Sequence, residues 1–355
     1  MAKIDALFKI LRDRGGSDLH ISPQNPPLMR VSGELQPVVN QVLTSQHCKA
    51  LLYEIMSDAQ RKSFEQDHDL DFAYEVPPLK ARFRANIFRG RLGTSGVFRI
   101  IPTEILSAEQ LGLPEVVLRF TEHKKGLVLV TGPTGSGKST TLAAMIDHVN
   151  RTRAEHILTI EDPIEFVHIS QKSLVNQREV GHHTLSFAAA LKAALREDPD
   201  IILVGEMRDL ETIELAITAA ETGHLVFGTL HTSSAAKTVD RIINVFPTNQ
   251  QEQIRTMLAE SLKGVIAQQL PRTVDGKRCA AMEILSVTPA VANLIREGKT
   301  FQIPSIIQTG RNEGMQLMDQ ALQELLQKKR ISAEEAYRFA LNKAQFAPLL
   351  KEAKP

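Results

Sequence analysis

The chain lacks tryptophan and has little cysteine. Cys48 and Cys279 are its two cysteines, and they lie too far apart to form a CxxC motif, so a disulfide framework and a cysteine-type zinc site are excluded. No hydrophobic run approaches the ~18–20 residues that a membrane-spanning helix requires. The N-terminus shows neither the apolar core nor the cleavage site of a signal peptide. We therefore expect a soluble protein of a reducing compartment.

Neither sign of charge is in excess. The chain has 42 Lys and Arg against 41 Asp and Glu, a net charge of +1, which argues against a bulk nucleic-acid binder or an acidic tail. Hydrophobic residues make up 43% and charged residues 23%, as in ordinary globular proteins. At ~100–200 residues per domain, a length of 355 residues predicts two or three domains.

The first hundred residues alternate between helical and strand-like patterns. Apolar residues at helical spacing predict an amphipathic helix over residues 2–12. The pattern then predicts short strands at 19–21, 28–31 and 35–38, a helix from Thr44 to about Ser57, and strands at 69–76, 81–89 and 94–101. We expect a mixed α+β domain over residues 1–103. Prolines bound the next segment, and we place a linker at residues 104–116.

The pattern changes over residues 117–355, where short β-branched runs alternate with longer helical stretches. Strands are predicted at 126–131, 156–161, 200–205 and 225–230, with helices from 138, near 187–196 and at 210–222. This alternation predicts an α/β fold with a mostly parallel sheet and helices on both faces. From residue 288 onward the pattern is nearly all helical.

Residues 132–140, GPTGSGKST, match the phosphate-binding motif GxxxxGK[ST]. A strand-like run precedes the motif and a helical run follows it, as the motif requires. Glycines allow backbone N–H groups to turn inward around phosphate oxygens. We expect Lys138 to reach the β- and γ-phosphates and the Ser139 hydroxyl to bind Mg²⁺. The predicted nucleotide-binding residues here are Gly132, Pro133, Thr134, Gly135, Ser136, Gly137, Lys138, Ser139 and Thr140.

Two apolar strands end in carboxylates, one in Glu206 and the other in Glu161. Ligands of parallel sheets bind at the carboxyl ends of the strands, so both glutamates are expected beside the phosphate loop. Glu206 would orient Mg²⁺ or polarise the attacking water, and either glutamate could be the general base. The pattern favours ATP hydrolysis. GTP is disfavoured, because residues 342–345 (NKAQ) lack the aspartate of a guanine-reading NKxD segment.

Histidines flank the apolar strand LVFGTL, His224 before it and His231 after it. His231 falls at the carboxyl end of this strand, where a γ-phosphate sensor could stand, although a structural histidine is the alternative. The doublet His182 and His183 has no Cys or acidic neighbour at ligand spacing, so we interpret it as a polar turn rather than a metal site.

A cluster of cations lies between Val76 and Thr103, where no acidic residue occurs. It consists of Lys80, Arg82, Arg84, Arg89, Arg91 and Arg99. One interpretation is pairing across a solvated face with the acids of residues 65–75. A second is a nucleic-acid stripe, for which aromatic stacking partners are few. A third is arginine fingers, offered to the γ-phosphate from another domain or subunit and worth about 10³–10⁵ in rate.

Together these motifs resemble the PilT family of type IV pilus retraction ATPases, within the wider type II/IV secretion ATPase superfamily. The family's motifs appear in order as SDLHI at 17–21, Walker A at 132–140, the Asp box at 159–165, Walker B at 201–209 and the His box at 223–234. The resemblance implies a PAS-like N-terminal domain, a RecA-like ATPase domain and a homohexameric ring. It also implies nucleotide contacts by His231, His224, Arg84 and Arg99.

The resemblance favours retraction over assembly, because assembly ATPases generally carry additional N-terminal domains and often a four-cysteine segment. Residues 290–297, AVANLIRE, look like the AIRNLIRE helix of retraction ATPases, with Ala292 in place of arginine. The implied protein is a cytoplasmic motor, peripheral to the inner face of the membrane. It would use ATP and Mg²⁺ and act on the inner-membrane platform protein of the pilus, without nucleic acid. A nucleic-acid translocase and a P-loop small-molecule kinase are the rival hypotheses.

Overall fold

The computed structural model describes residues 2–31, 33–79, 81–101 and 104–352. The chain divides into two compact units, the first comprising Met1–Glu104 with Pro163–Val167 and the second Ile105–Asp162 with His168–Pro355. Lys80 and residues 102–103, where the predicted first domain ends, lie outside the described residues. No helix within the described ranges is long and apolar enough to cross a membrane.

The first unit is an antiparallel sheet packed against helices. Its elements are α1 (Asp5–Asp13), β1 (Asp18–Ile21), β2 (Leu28–Val31), β3 (Glu34–Pro37), α2 (Ser45–Tyr53), α3 (Asp58–Asp67), β4 (Asp69–Val76), β5 (Ala81–Gly90) and β6 (Gly93–Ile101). The strand order is β3-β2-β1-β6-β5-β4. Phe8 of α1 lies 4.1 Å from Phe83 and 5.1 Å from Phe98 between ring centroids, and all three are fully buried. These rings join helix and sheet into one core.

The helix predicted from Thr44 to about Ser57 is shorter than expected, and a second helix follows it. The Thr44 side chain caps α2 by accepting from the His47 N–H at 3.2 Å, as predicted, but α2 ends at Tyr53. Ser57 instead begins α3, through a reciprocal capping box with Gln60. The sequence pattern did not predict α3, because this mostly polar helix buries only Phe64 of its side chains.

The second unit contains a mostly parallel sheet, which confirms the predicted α/β class. Its elements are α4 (Ala108–Leu111), α5 (Glu115–Arg119), β7 (Gly126–Thr131), α6 (Lys138–Thr152), β8 (His156–Glu161), β9 (Leu174–Glu179), α7 (Phe187–Ala194), β10 (Ile201–Val204), α8 (Leu210–Thr222), β11 (Leu225–Leu230), α9 (Ala235–Val245), α10 (Gln251–Ser261), β12 (Leu262–Gln269), β13 (Ala281–Ser286), α11 (Pro289–Arg296), α12 (Ile303–Thr309), α13 (Met318–Gln327), α14 (Ala333–Phe339) and α15 (Lys343–Glu352). The segment predicted as a linker therefore contains α4 and the start of α5.

The strand order β13-β12-β7-β11-β10-β8-β9 decides which loops meet. All neighbouring strands are parallel except β12 and β13. Successive residues of β7 point to opposite faces of the sheet. Leu127 and Leu129 pack into the hydrophobic core on one face, and Val128 and Val130 pack into the core on the other. This is expected when helices cover both faces. The carboxyl ends of the parallel strands form one edge, where the loops after β7, β8, β10, β11 and β12 lie.

Candidate functional site

The phosphate-binding loop joins β7 to α6 at this carboxyl edge. Gly132, Gly135 and Gly137 have positive φ angles of 145°, 79° and 86°, which strain residues with a side chain. A Cβ at Gly132 would also lie 2.3 Å from the backbone oxygen of Gln268. The backbone path of the loop therefore depends on glycine at these positions.

Positive charge converges on the loop. The N-terminus of α6 begins at Lys138, whose Nζ donates to the backbone oxygens of Gly132 at 2.9 Å and Pro133 at 3.2 Å. Ser139 and Thr140 follow in the first turn and are half-buried. The Ser136 hydroxyl, buried in the loop, has no hydrogen-bond partner among the described residues. A helix N-terminus, an ammonium group and an unpartnered hydroxyl fit the phosphates of a nucleotide.

The two predicted carboxylates meet at the same edge. Glu161 is the last residue of β8, and Glu206 lies two positions after β10. The two strands are adjacent, with the Gly205 N–H donating to the Ile160 oxygen at 2.8 Å. Only β11 separates β10 from β7, and strands are spaced at about 4.8 Å. The structure therefore brings Glu206 and Glu161 to the loop edge of the sheet.

Glu206 is bound by a histidine and an arginine. Its Oε1 lies 2.9 Å from His231 Nε2 and 2.5 Å from Arg208 Nε, and its Oε2 accepts from Arg208 Nη2 at 2.6 Å. Burial would raise the pKa of Glu206, but hydrogen bonds from Arg208 and His231 lower it below its usual range. The carboxylate is therefore ionised at neutral pH, and its contact raises the pKa of Arg208.

Sequence reasoning missed Arg208, although it lies in the Walker B segment. The sequence feature that could have identified Arg208 is its position two residues after Glu206, because a turn at this point can direct its side chain back to the Glu206 carboxylate. Glu161 is held differently, since its Oε1 accepts from Thr159 Oγ1 at 2.7 Å and from Gln177 Nε2 at 3.2 Å. Glu161 thus accepts hydrogen bonds from a hydroxyl and an amide, whereas Glu206 contacts an arginine and a histidine.

The structure places His224 apart from His231. The resemblance grouped it with His231 in the nucleotide site, but His224 precedes β11 whereas His231 follows it. The six residues of β11 rise by about 3.3 Å each, which separates the two histidines by roughly 20 Å. His224 Nδ1 instead lies 3.0 Å from the Ala219 oxygen at the end of α8. Within this chain it does not join the carboxyl edge.

Arg84 and Arg99 lie directly opposite each other on β5 and β6 of the first unit. Their side chains are 51% and 71% exposed. Arg99 Nε lies 2.8 Å from Asp18 Oδ1, and Arg84 Nε lies 4.0 Å from Asp71 Oδ1. Like charges directly opposite destabilise a sheet, and here each arginine has a carboxylate on a neighbouring strand that offsets this repulsion. The Arg84–Asp71 contact is the pairing that the first interpretation of this cluster predicted. Both guanidinium groups nevertheless remain largely exposed.

Asp18 holds Arg99 from the neighbouring strand β1. Burial would raise the pKa of Asp18, but hydrogen bonds from Ser17 and Arg99 lower it. The buried carboxylate therefore keeps its charge and restrains one end of an exposed arginine. No group of three or more His, Cys, Asp or Glu residues in the described part of the chain could hold a metal ion.

Comparisons with known proteins agree on one family. The family model described as type II/IV secretion system protein matches residues 2–349. The type IV pilus retraction ATPase PilT of Pseudomonas aeruginosa is 56% identical over 333 residues, covering 94% of this chain and 96% of that protein. A Neisseria gonorrhoeae protein named twitching motility protein is 56% identical over 317 residues, covering 89% and 84%. A crystal structure of the pilus retraction motor PilT with bound ADP aligns with a TM-score of 0.91 at 46% identity, covering 97% and 98%.

Proposed function

Because the chain belongs to the type II/IV secretion system protein family, we propose that it is an ATP-hydrolysing motor that disassembles and retracts type IV pili and so drives twitching motility. The observation that carries the proposal is the placement of the phosphate loop and the Glu206–His231 pair at one edge of the sheet. The sequence likeness to a retraction ATPase supports the direction, retraction rather than assembly.

ATP binds through residues 132–140 in this proposal, with Lys138 at the β- and γ-phosphates. Ser139 and Glu206 offer the oxygen ligands that Mg²⁺ prefers, and bound Mg²⁺ would neutralise phosphate charge. Both Glu206 oxygens contact Arg208, so a metal ion or a water molecule at Glu206 would share the carboxylate with Arg208 or displace it. Glu161 is the second candidate base, and His231 holds Glu206 while sensing the γ-phosphate.

Motion follows from arginines supplied across subunits of a homohexamer. Arg84 and Arg99 of one subunit reach the nucleotide of its neighbour, so that ATP favours a closed arrangement and product release an open one. A ligand shifts such an equilibrium only through different affinities for the two states. The displacement acts on the inner-membrane platform protein. The motor itself is cytoplasmic and peripheral to the inner face of the membrane, and it requires no nucleic acid.

The first test separates catalysis from folding. Lys138→Ala removes the phosphate-binding ammonium, and Glu206→Ala removes the carboxylate that orders metal and water. We expect ATPase activity to fall by about 10²-fold or more in each variant, with unchanged thermal unfolding. Lys124→Ala, an exposed lysine in the same unit, is the control and should keep full activity. Near-wild-type turnover in either site variant would refute the assignment.

Two further measurements address the rivals. A nucleic-acid translocase would show DNA-stimulated ATPase activity and steeply salt-dependent DNA binding, whereas this motor should show neither. A small-molecule kinase would be fully active as a monomer.

Deleting the gene distinguishes retraction from assembly. Cells that make pili without withdrawing them support the proposal, and cells without pili contradict it.

A further inference from the structure

Gln268 connects the phosphate loop to the helix that follows it. It lies near the carboxyl end of β12, beside the loop strand β7, and is only 3% exposed. Its Nε2 donates to the Ser136 backbone oxygen at 2.8 Å, and its Oε1 accepts from Thr141 Oγ1 at 2.8 Å. Thr141 belongs to the first turn of α6. A single buried amide therefore links the end of the loop to the start of the helix.

The two partners fix the orientation of this amide. A backbone oxygen can only accept a hydrogen bond, so the amide nitrogen must face Ser136 and the amide oxygen must face the Thr141 hydroxyl. In a planar trans peptide, the Ser136 carbonyl and the Gly137 N–H point in opposite directions. Because the carbonyl points outward to Gln268, the Gly137 N–H points to the inside of the loop, where phosphate oxygens bind.

Gln268 lies so close to two glycines of the loop that neither position has room for a side chain. A Cβ at Gly132 would lie 2.3 Å from the Gln268 backbone oxygen, and a Cβ at Gly137 would lie 2.8 Å from Gln268 Nε2. The backbone and side chain of one residue thus contact both ends of the loop. A displacement of Gln268 would be transmitted to both.

We propose that Gln268 is a positioning residue that directs the Gly137 N–H at the nucleotide phosphates. This inference rests on the proposed function, because it requires the loop to bind a nucleotide. Gln268 acts through the backbone and does not touch the phosphates. The Gly137 N–H contacts phosphate both before and during hydrolysis, so its loss weakens nucleotide binding and raises KM more than it lowers kcat.

The test uses the full-length chain and three variants. Gln268→Met keeps the length of the side chain but removes both hydrogen bonds. Gln268→Glu keeps an acceptor for Thr141 but places a carboxylate oxygen against the Ser136 oxygen. Thr141→Val removes only the bond that orients the amide. We expect ADP to bind about 10-fold more weakly to both Gln268 variants, and about 3-fold more weakly to Thr141→Val.

Titration with fluorescently labelled ADP, ATPase kinetics and thermal unfolding of the nucleotide-free proteins decide the outcome. A raised Kd for ADP and a raised KM, with kcat within about twofold of wild type, support the inference. Wild-type ADP affinity in a folded Gln268 variant overturns it, as does a loss confined to kcat. If Gln268→Met does not fold, the charged variant decides alone. A wild-type chain that fails to bind ADP would instead refute the proposed function.

Discussion

At the scale of single residues, the state of Glu206 depends on the cations that bind it. Arg208 contacts both carboxylate oxygens and His231 contacts one. Since these hydrogen bonds offset burial and lower the pKa of Glu206, the carboxylate gains a proton only under acidic conditions. The ionised carboxylate of Glu206 should therefore persist to low pH, until Glu206 is protonated or the protein unfolds.

Arg208→Gln removes a charge that stabilises ionised Glu206. Burial then acts with less opposition, so the pKa of Glu206 rises and the acidic limb of the ATPase profile moves to higher pH. The measurement is kcat/KM as a function of pH in the two proteins. Arg196→Gln, an exposed arginine of the same unit, is the control and should leave the limb in place. An unmoved limb in Arg208→Gln would show that Glu206 does not set it.

The sequence predicted where some candidate residues lie in the sheet and missed other residues for a physical reason. Glu161 and Glu206 were predicted because each follows an apolar run typical of a buried strand. Since the carboxyl ends of parallel strands meet at one edge of the sheet, both were expected at that edge. Arg208 and Gln268 were missed because their roles depend on which atoms they face, which no spacing rule expresses. His224 and His231 look equivalent beside one strand, yet the ends of a strand lie at opposite edges of the sheet.

At the scale of elements, the apolar pattern predicted the fully buried central strands but missed other strands of the same sheet. Runs such as β7, β10 and β11 are buried along their whole length, so an uninterrupted apolar pattern identified them. The strand β12 was not predicted, because it follows α10 directly, with Ser261 ending one and Leu262 beginning the other. No Gly or Pro marks this boundary, and Gln268 lies beyond it. The edge strand β9 is largely polar and gave no apolar signal.

A buried histidine makes the stability of the second unit depend on pH. His168 lies between β8 and β9, and its backbone N–H donates to Gln177 Oε1 at 2.7 Å. The side chain is 8% exposed, and its Nδ1 has no hydrogen-bond partner among the described residues. Burial lowers the pKa of His168 to about 4, although the charge of Asp147 opposes this. Folding therefore holds His168 neutral.

The sign of the effect follows from proton binding. Between about pH 6.5 and pH 4 the unfolded chain binds a proton at His168 that the folded chain does not, so stability is lost as pH falls through this window. The loss is about 2 kcal/mol at pH 5. His168→Leu should lessen the fall in urea midpoint between pH 7 and pH 5, whereas the exposed control His182→Gln should not. Equal falls in wild type and His168→Leu would contradict this.

At the scale of the whole molecule, the opposed pair Arg84 and Arg99 connects the first unit to the motor hypothesis. If these arginines complete a neighbouring site, Arg99→Ala should lower turnover by about 10³-fold while ADP binding persists. Arg89→Ala, an exposed arginine that lies on β5 as Arg84 does, is the control and should retain turnover. An unchanged kcat in Arg99→Ala would remove Arg99 from this role.

Mixing two inactive variants tests whether the arginine acts across subunits. Lys138→Ala subunits lack a working nucleotide site but still carry Arg99, and Arg99→Ala subunits have the reverse defect. In a randomly mixed ring, about a quarter of the seams join an intact site to an intact arginine from the neighbour. Coexpressed variants should therefore regain roughly a quarter of wild-type ATPase activity if sites act independently. Mixing Arg99→Ala with the double variant Lys138→Ala/Arg99→Ala creates no such seam and should stay inactive. If the first mixture is no more active than the two single variants measured separately, hydrolysis in one subunit does not depend on its neighbour.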